Sequence, residues 1–283
     1  MEFNILGPLE VRGTDGSIPL GGAKPRAVLA VLLLNPNEPV SAERLAVALW
    51  GEDAPAGSVK TVQVHVSRLR KSLGDGDAVT RTAAGYRLRV RPGERDVERF
   101  DELVARGRRE LACGRPEAAA DLLREALGLW RGAPLGDLAD APFASGEARS
   151  LEEARIAALA CRVEADVAAG RHAEVIGELR GLVAEHPTHE GFAAQLMLAL
   201  YRCGRQAEAL DAFQDARERL VGELGVEPGP ELRELQEAIL RHDPKLTPRP
   251  AELPDELAAA APQSWTGCLR AGSAPRAGAA SSC

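Results

Sequence analysis

Ser58-Val-Lys-Thr-Val-Gln-Val-His-Val-Ser-Arg-Leu-Arg-Lys-Ser-Leu-Gly74 is the stretch on which the reading of this 283-residue chain turns. Val59, Val62, Val66, Leu69 and Leu73 recur at gaps of 3, 4, 3 and 4, the spacing that lines one face of an α-helix. Ser58 stands where an N-cap is wanted, and Gly74 where a left-handed residue ends a helix. At about 100° per residue the opposite face gathers Lys60, Thr61, Val64, Ser67, Arg68 and Lys71, with Gln63, His65 and Arg70 on its flanks. A basic, polar face with one exposed valine is odd for a solvated surface. It suits a DNA major groove, where an apolar side chain meets a thymine methyl.

Working outward, Val79–Val90 forms two β-runs about a small-residue turn, and its second run alternates Tyr86, Leu88 and Val90 with Arg87, Arg89 and Arg91. Period-two geometry turns the apolar set inward and the arginines outward. Upstream, Ser41 caps an expected helix over 42–50, and Pro25–Leu34 reads as a short buried helix ended by Asn35-Pro36. Before that, short β-type runs broken by Gly7-Pro8 and Gly13–Gly16 predict a small antiparallel sheet. Helix, turn, helix and basic hairpin together have the layout of a winged helix.

From Asp96 the pattern is helical. Gly170-Arg-His-Ala-Glu-Val175 and Gly204-Arg-Gln-Ala-Glu-Ala209 lie 34 residues apart, and Gly114-Arg-Pro-Glu-Ala-Ala119 is a third copy 56 residues earlier. A period of 34 is that of tetratricopeptide helix pairs. The wider first interval holds a Pro/Gly-rich connection, Trp130–Phe143. A last helix is expected from Pro230 to about Leu240. In residues 247–283, 22 of 37 positions are Ala, Pro, Gly or Ser, a composition expected to be disordered. The expected fold class is therefore mainly α with a small β component: a winged helix-turn-helix over 1–93, an all-α tetratricopeptide-like repeat over 96–243, and the tail.

The net charge of −7 reads at first against a polyanion partner, but it is an average. Residues 1–92 hold twelve basic and nine acidic side chains, and the remainder 23 and 33. In residues 60–91 eight cations face only Asp75 and Asp77, an electrostatic footprint for nucleic acid. Five scattered cysteines without a C-x-x-C pair indicate neither zinc nor a disulfide framework. His186-Pro-Thr-His189 flanks a proline and lacks a third ligand, so an inter-helix loop is expected there and no metal. P-loop, nucleophile-elbow and H-E-x-x-H patterns are missing, so neither enzyme activity nor a cofactor is expected. The longest apolar run, eight residues from Ala27 to Leu34, is short of the ~20 that cross a bilayer. With no basic n-region near the start, a secretory leader is not expected. A cytoplasmic protein with no membrane partner is expected.

Lys60–Lys71 followed by Gly85-Tyr-Arg-Leu88 resembles the recognition helix and wing of OmpR-type winged-helix domains. Ala27–Leu34, Leu45-Ala-Val-Ala-Leu-Trp-Gly51, Asp96-Val-Glu-Arg-Phe100 and the Arg131-Gly…Pro142-Phe connection extend the likeness over residues 1–243 to the Streptomyces antibiotic regulatory protein family. That family joins an OmpR-type domain to a bacterial transcriptional activation domain. The resemblance implies a transcription activator of a secondary-metabolite gene cluster, nucleoid-associated when bound. Its implied partners are double-stranded DNA, carrying direct repeats near promoters, RNA polymerase holoenzyme, and a second copy of the chain on DNA. It implies that Gln63, Val64 and Arg68 face bases, and that Lys60, Thr61, Ser67 and Arg70 touch phosphates, with His65 and Lys71 beside them. In the wing, Thr82 occupies the position where an arginine is usual, with Arg81 adjacent, and Arg87 and Arg89 face phosphate or water. No receiver domain precedes the winged helix, so phospho-switching of the OmpR kind is not expected. The alternative is a helical-repeat interaction scaffold whose winged helix docks protein rather than DNA.

Overall fold

The computed structural model describes residues 1–246 apart from 53, 75–77 and 140. The chain opens with an antiparallel sheet of β1 (Glu2–Asn4), β2 (Glu10–Gly13) and β3 (Gly16–Ser17). The first helix, α1 (Ala23–Leu34), begins two residues before the expected Pro25, which its fixed φ allows in a first turn. It is buried nearly all round. In α2 (Ala42–Trp50) the Ser41 hydroxyl accepts from the Arg44 amide at 3.1 Å, as its sequence anticipated.

The helix read first is α3 (Ser58–Leu73), with Val62, Val66, Leu69 and Leu73 buried. Two details differ from expectation. The N-cap is Gly57, left-handed at φ 89°, and Ser58 is already helical; its hydroxyl donates to the Pro55 carbonyl instead of accepting from the helix. Val59, in the first turn, is only half-buried. Gly74 ends the helix in the left-handed region at φ 67°, as expected.

Strands β4 (Val79–Thr82) and β5 (Gly85–Leu88) pair antiparallel about Ala83-Ala84, with Thr82 opposite Gly85. Tyr86, Leu88 and Val90 are buried and Arg87, Arg89 and Arg91 exposed, so the alternation holds. Tyr86 exchanges both backbone hydrogen bonds with Val40, each 2.8 Å, which stitches the hairpin to the segment leading into α2. Gly85 makes this approach possible: it sits at φ +138°, and a Cβ there would collide with the Val40 carbonyl.

Among the described residues seven α-helices follow: α4 (Asp96–Ala112), α5 (Pro116–Gly128), α6 (Ala144–Ala168), α7 (His172–Glu185), α8 (Glu190–Arg202), α9 (Gln206–Leu224) and α10 (Pro230–Leu240). The three Gly-Arg copies are the turns α4–α5, α6–α7 and α8–α9. Gly114, Gly170 and Gly204 all take left-handed φ, from 72° to 83°, and the sixth residue of each copy, Ala119, Val175 and Ala209, is buried. A glycine stop followed by an inward small residue is thus the repeated physical device.

The Trp130–Phe143 connection does more than join helices. It contains a 3-10 turn, Gly136–Leu138, and buries Leu135 and Leu138 in the core formed by α1, α2, α3 and the two sheets. Leu6 from the N-terminal segment is buried in the opposite direction, against Phe100, Leu103 and Leu123 of α4 and α5. Backbone bonds link Arg131 N to Leu6 O at 2.8 Å and Leu135 N to Gly7 O at 2.9 Å. The buried Asp96 carboxylate accepts from the Ile5 and Leu6 amides, both at 2.9 Å. No helix among the described residues is long and apolar enough to cross a membrane.

Candidate nucleic-acid interface

The face of α3 away from the core is open. Lys60, Thr61, Gln63, Val64, Ser67, Arg68 and Lys71 are all exposed, and Val64 keeps 49% of its surface accessible at the middle of the strip. The core-facing valines and leucines fix which side this is, so the polar residues have no freedom to turn inward. They share the solvent side of α3, and Arg81, Arg87 and Arg89 of the hairpin are exposed as well.

Among the described residues Lys60, Arg68, Lys71, Arg81, Arg87 and Arg89 form no ion pair. In the helical repeat several arginines do meet carboxylates: Arg180 and Arg205 with Glu208, Arg217 with Glu227, Arg124 with Asp121. Cations without such partners raise the local positive potential, which favours anions. Burial exposes a second division of labour. Arg70 is half-buried and its Nε donates to the Val79 carbonyl at 2.7 Å, so it anchors the hairpin to α3. Thr82 is also half-buried, its hydroxyl donating to Gly85 O at 3.3 Å, whereas Arg81 beside it is exposed.

His65 has a neighbour that sequence spacing did not reveal. Its ring stacks on Trp50 at the end of α2, with centroids 6.5 Å apart and planes at 27°, and its Nδ1 is buried without a partner. Burial lowers its pKa below the usual histidine range, and the nearby Arg68 and Lys24 lower it further. The ring as a whole is half-buried. Lys24 carries no signal in the sequence because it stands alone, 36 residues before the basic segment; its Nζ lies 4.9 Å from the centre of the same Trp50 ring.

The histidine pair at 186 and 189 packs on Phe192, with centroids at 5.8 and 4.2 Å. His189 Nδ1 accepts from the Phe192 amide and caps α8, so this is an inter-helix turn. Among the described residues no group of three or more His, Cys, Asp or Glu is arranged to hold a metal.

Two family profiles match the chain: "Transcriptional regulatory protein, C terminal" over residues 18–88 and "Bacterial transcriptional activator domain" over residues 95–240. The chain is a member of the Streptomyces antibiotic regulatory protein family. It is 39% identical to the regulatory protein DnrI of Streptomyces peucetius, covering 90% of this chain and 97% of that one. It is 41% identical to the regulatory protein AfsR of Streptomyces griseus, again over 90% of this chain, but spans only 26% of that longer protein. A solved structure of Mycobacterium tuberculosis EmbR in complex with a low-affinity phosphopeptide superposes with a TM-score of 0.83 at 38% identity, covering 88% of this chain and 66% of that one. Within the family frame, α3 is the recognition helix and the β4–β5 hairpin the wing, and the architecture is an OmpR-type winged helix followed by the helical activator domain. The protein is a DNA-binding transcriptional regulator of the activator type.

Proposed function

We propose that this family member is a cytoplasmic, non-enzymatic activator of a secondary-metabolite gene cluster. It binds direct repeats near promoters through α3 and the wing, and recruits RNA polymerase holoenzyme through its helical domain. The observation that carries the reading is the exposed strip around Val64, whose cations have no ion pair among the described residues. Gln63, Val64 and Arg68 face bases: arginine binds guanine bidentately, glutamine pairs with adenine, and valine meets a thymine methyl. Lys60, Thr61, His65, Ser67, Arg70 and Lys71 hold the phosphates that set register, and Arg81, Thr82, Arg87 and Arg89 serve the wing's contact. Direct repeats call for a head-to-tail arrangement of two copies, because a two-fold dimer reads palindromes.

The test is selection of genomic fragments by the full-length protein, followed by affinity measurement across a salt series. Steep loss of affinity with salt is expected, since each phosphate contact releases counterions. Arg68→Ala is expected to cost about 1–3 kcal/mol and to relax preference at one base pair. An affinity indifferent to both salt and this substitution sinks the reading. Failure to retain any genomic DNA, alongside a stable protein complex, favours the scaffold alternative.

A further inference from the structure

The recognition helix presents its polar strip between two neighbours, and only one of them is the wing. Counting at about 100° per residue from Val64, Arg70 and His65 lie on opposite flanks of α3. Arg70 leans on the wing through Val79 O. His65 leans on Trp50, and the same ring carries Lys24 from the N-terminal turn of α1. Lys24 Nζ donates to the Leu49 carbonyl at the C-terminal end of α2, at 2.6 Å. That neutral acceptor seats the ammonium without cancelling its charge and leaves two N–H groups free.

The contrast with Arg26 is informative. Two residues further into α1, its guanidinium is taken up by Asp137 and the Leu9 carbonyl, so it belongs to the junction with the helical domain. Lys24 is exposed and has no carboxylate partner among the described residues. The depressed proton affinity of His65, to which burial contributes most and then Arg68 and Lys24, indicates that the lysine's field reaches the edge of the recognition strip.

A major groove about 12 Å wide has a phosphate chain on each bank. With α3 in the groove, the wing arginines stand over one bank and Lys24 stands on the other side of the helix. We propose that the DNA-binding surface extends onto α1, where Lys24, seated on Trp50, neutralises a backbone phosphate on the bank away from the wing. Trp50 is then a positioning residue, holding both Lys24 and His65. The proposal rests on the reading of α3 as a major-groove helix.

The test compares full-length protein with Lys24→Gln and Lys24→Arg on a duplex selected from genomic fragments and on a random-sequence duplex. Lys24→Gln is expected to weaken both by a similar factor and to flatten the slope of log affinity against log salt by about one unit; Lys24→Arg is expected to keep the slope. A role confined to tying α1 to Leu49 lowers Tm and leaves the slope unchanged, and that result overturns the proposal. Should Lys24→Gln fold poorly, amine acylation of the native protein decides the matter, because the chain has only four lysines. DNA is expected to protect Lys24 along with Lys60 and Lys71 but not Lys245, and equal labelling of Lys24 with and without DNA overturns it. Native protein that fails to bind either duplex rejects the functional reading itself; steep native binding with an indifferent Lys24 rejects this inference alone.

Discussion

His65 shows how a single side chain takes its character from neighbours distant in sequence. Burial, to which the stacked Trp50 contributes, and then the positive charges of Arg68 and Lys24 disfavour its protonated form. Two consequences are measurable. In NMR titration its pKa is expected below the ordinary 6.5, and Trp50→Ala is expected to move it back toward that value; a native value at or above 6.5 contradicts the account. Because folding lowers the pKa, the folded state binds the proton less readily than the unfolded chain. His65 therefore costs stability as pH falls through 6.5, until the folded form also protonates, and it costs nothing well above 6.5. Tyr86 and Gly85 carry a comparable lesson for shape: the wing's position depends on two backbone bonds to Val40, which only a residue without a Cβ lets approach.

Among elements, α3 and the Gly-Arg turns are the most regular, and both were legible because periodicity states which side is buried. The departures lie at ends: the cap is Gly57 and not Ser58, and α1 starts before Pro25, since one-residue choices at a terminus are settled by local backbone geometry. What no period announced is the ionic tie between helix pairs. Asp166 on α6, only 2% exposed, accepts from Arg162 of its own helix at 2.9 Å, from Arg171 at the next turn at 2.8 Å, and from Arg124 of α5. Arg162, itself buried, also pairs with Glu178 of α7. Removing one partner of such a group strands the others in low dielectric. Asp166→Ala is expected to destabilise the protein by about 3–5 kcal/mol, read as a fall in the denaturant midpoint. A change within about 0.5 kcal/mol, the usual range for surface sites, shows that the cluster is solvated.

At the scale of the molecule, two features shape behaviour. The first is charge segregation: the acidic surplus lies in the helical part, and residues 60–91 hold the excess of cations. The second is reciprocal burial. Leu6 enters the helical core, while Leu135 and Leu138 enter the winged-helix core, and Asp137 holds the Leu9 amide at 2.7 Å together with Arg26. A fragment ending at residue 93 loses those two leucines, each of which stabilises by about 1.5–3 kcal/mol when buried, and exposes Leu6. It is expected to unfold at lower denaturant than one ending at residue 145, with reduced amide protection in β1 and β2. Equal midpoints for the two fragments refute the coupling.

The sequence by itself determined the element types, the inward face of α3, the outward arginines of the wing and the glycine-ended helix pairs. Each follows from short-range spacing, and a 3.6- or 2-residue period determines a face wherever one side must be buried. Only the tertiary structure decided that Trp50 and Lys24 stand beside His65, that Arg70 braces the wing, and that the Trp130–Phe143 connection completes the core of the N-terminal domain. These contacts join residues up to 128 positions apart, as Leu9 and Asp137 are. A loop without periodicity carries no mark of the surface on which it will be buried.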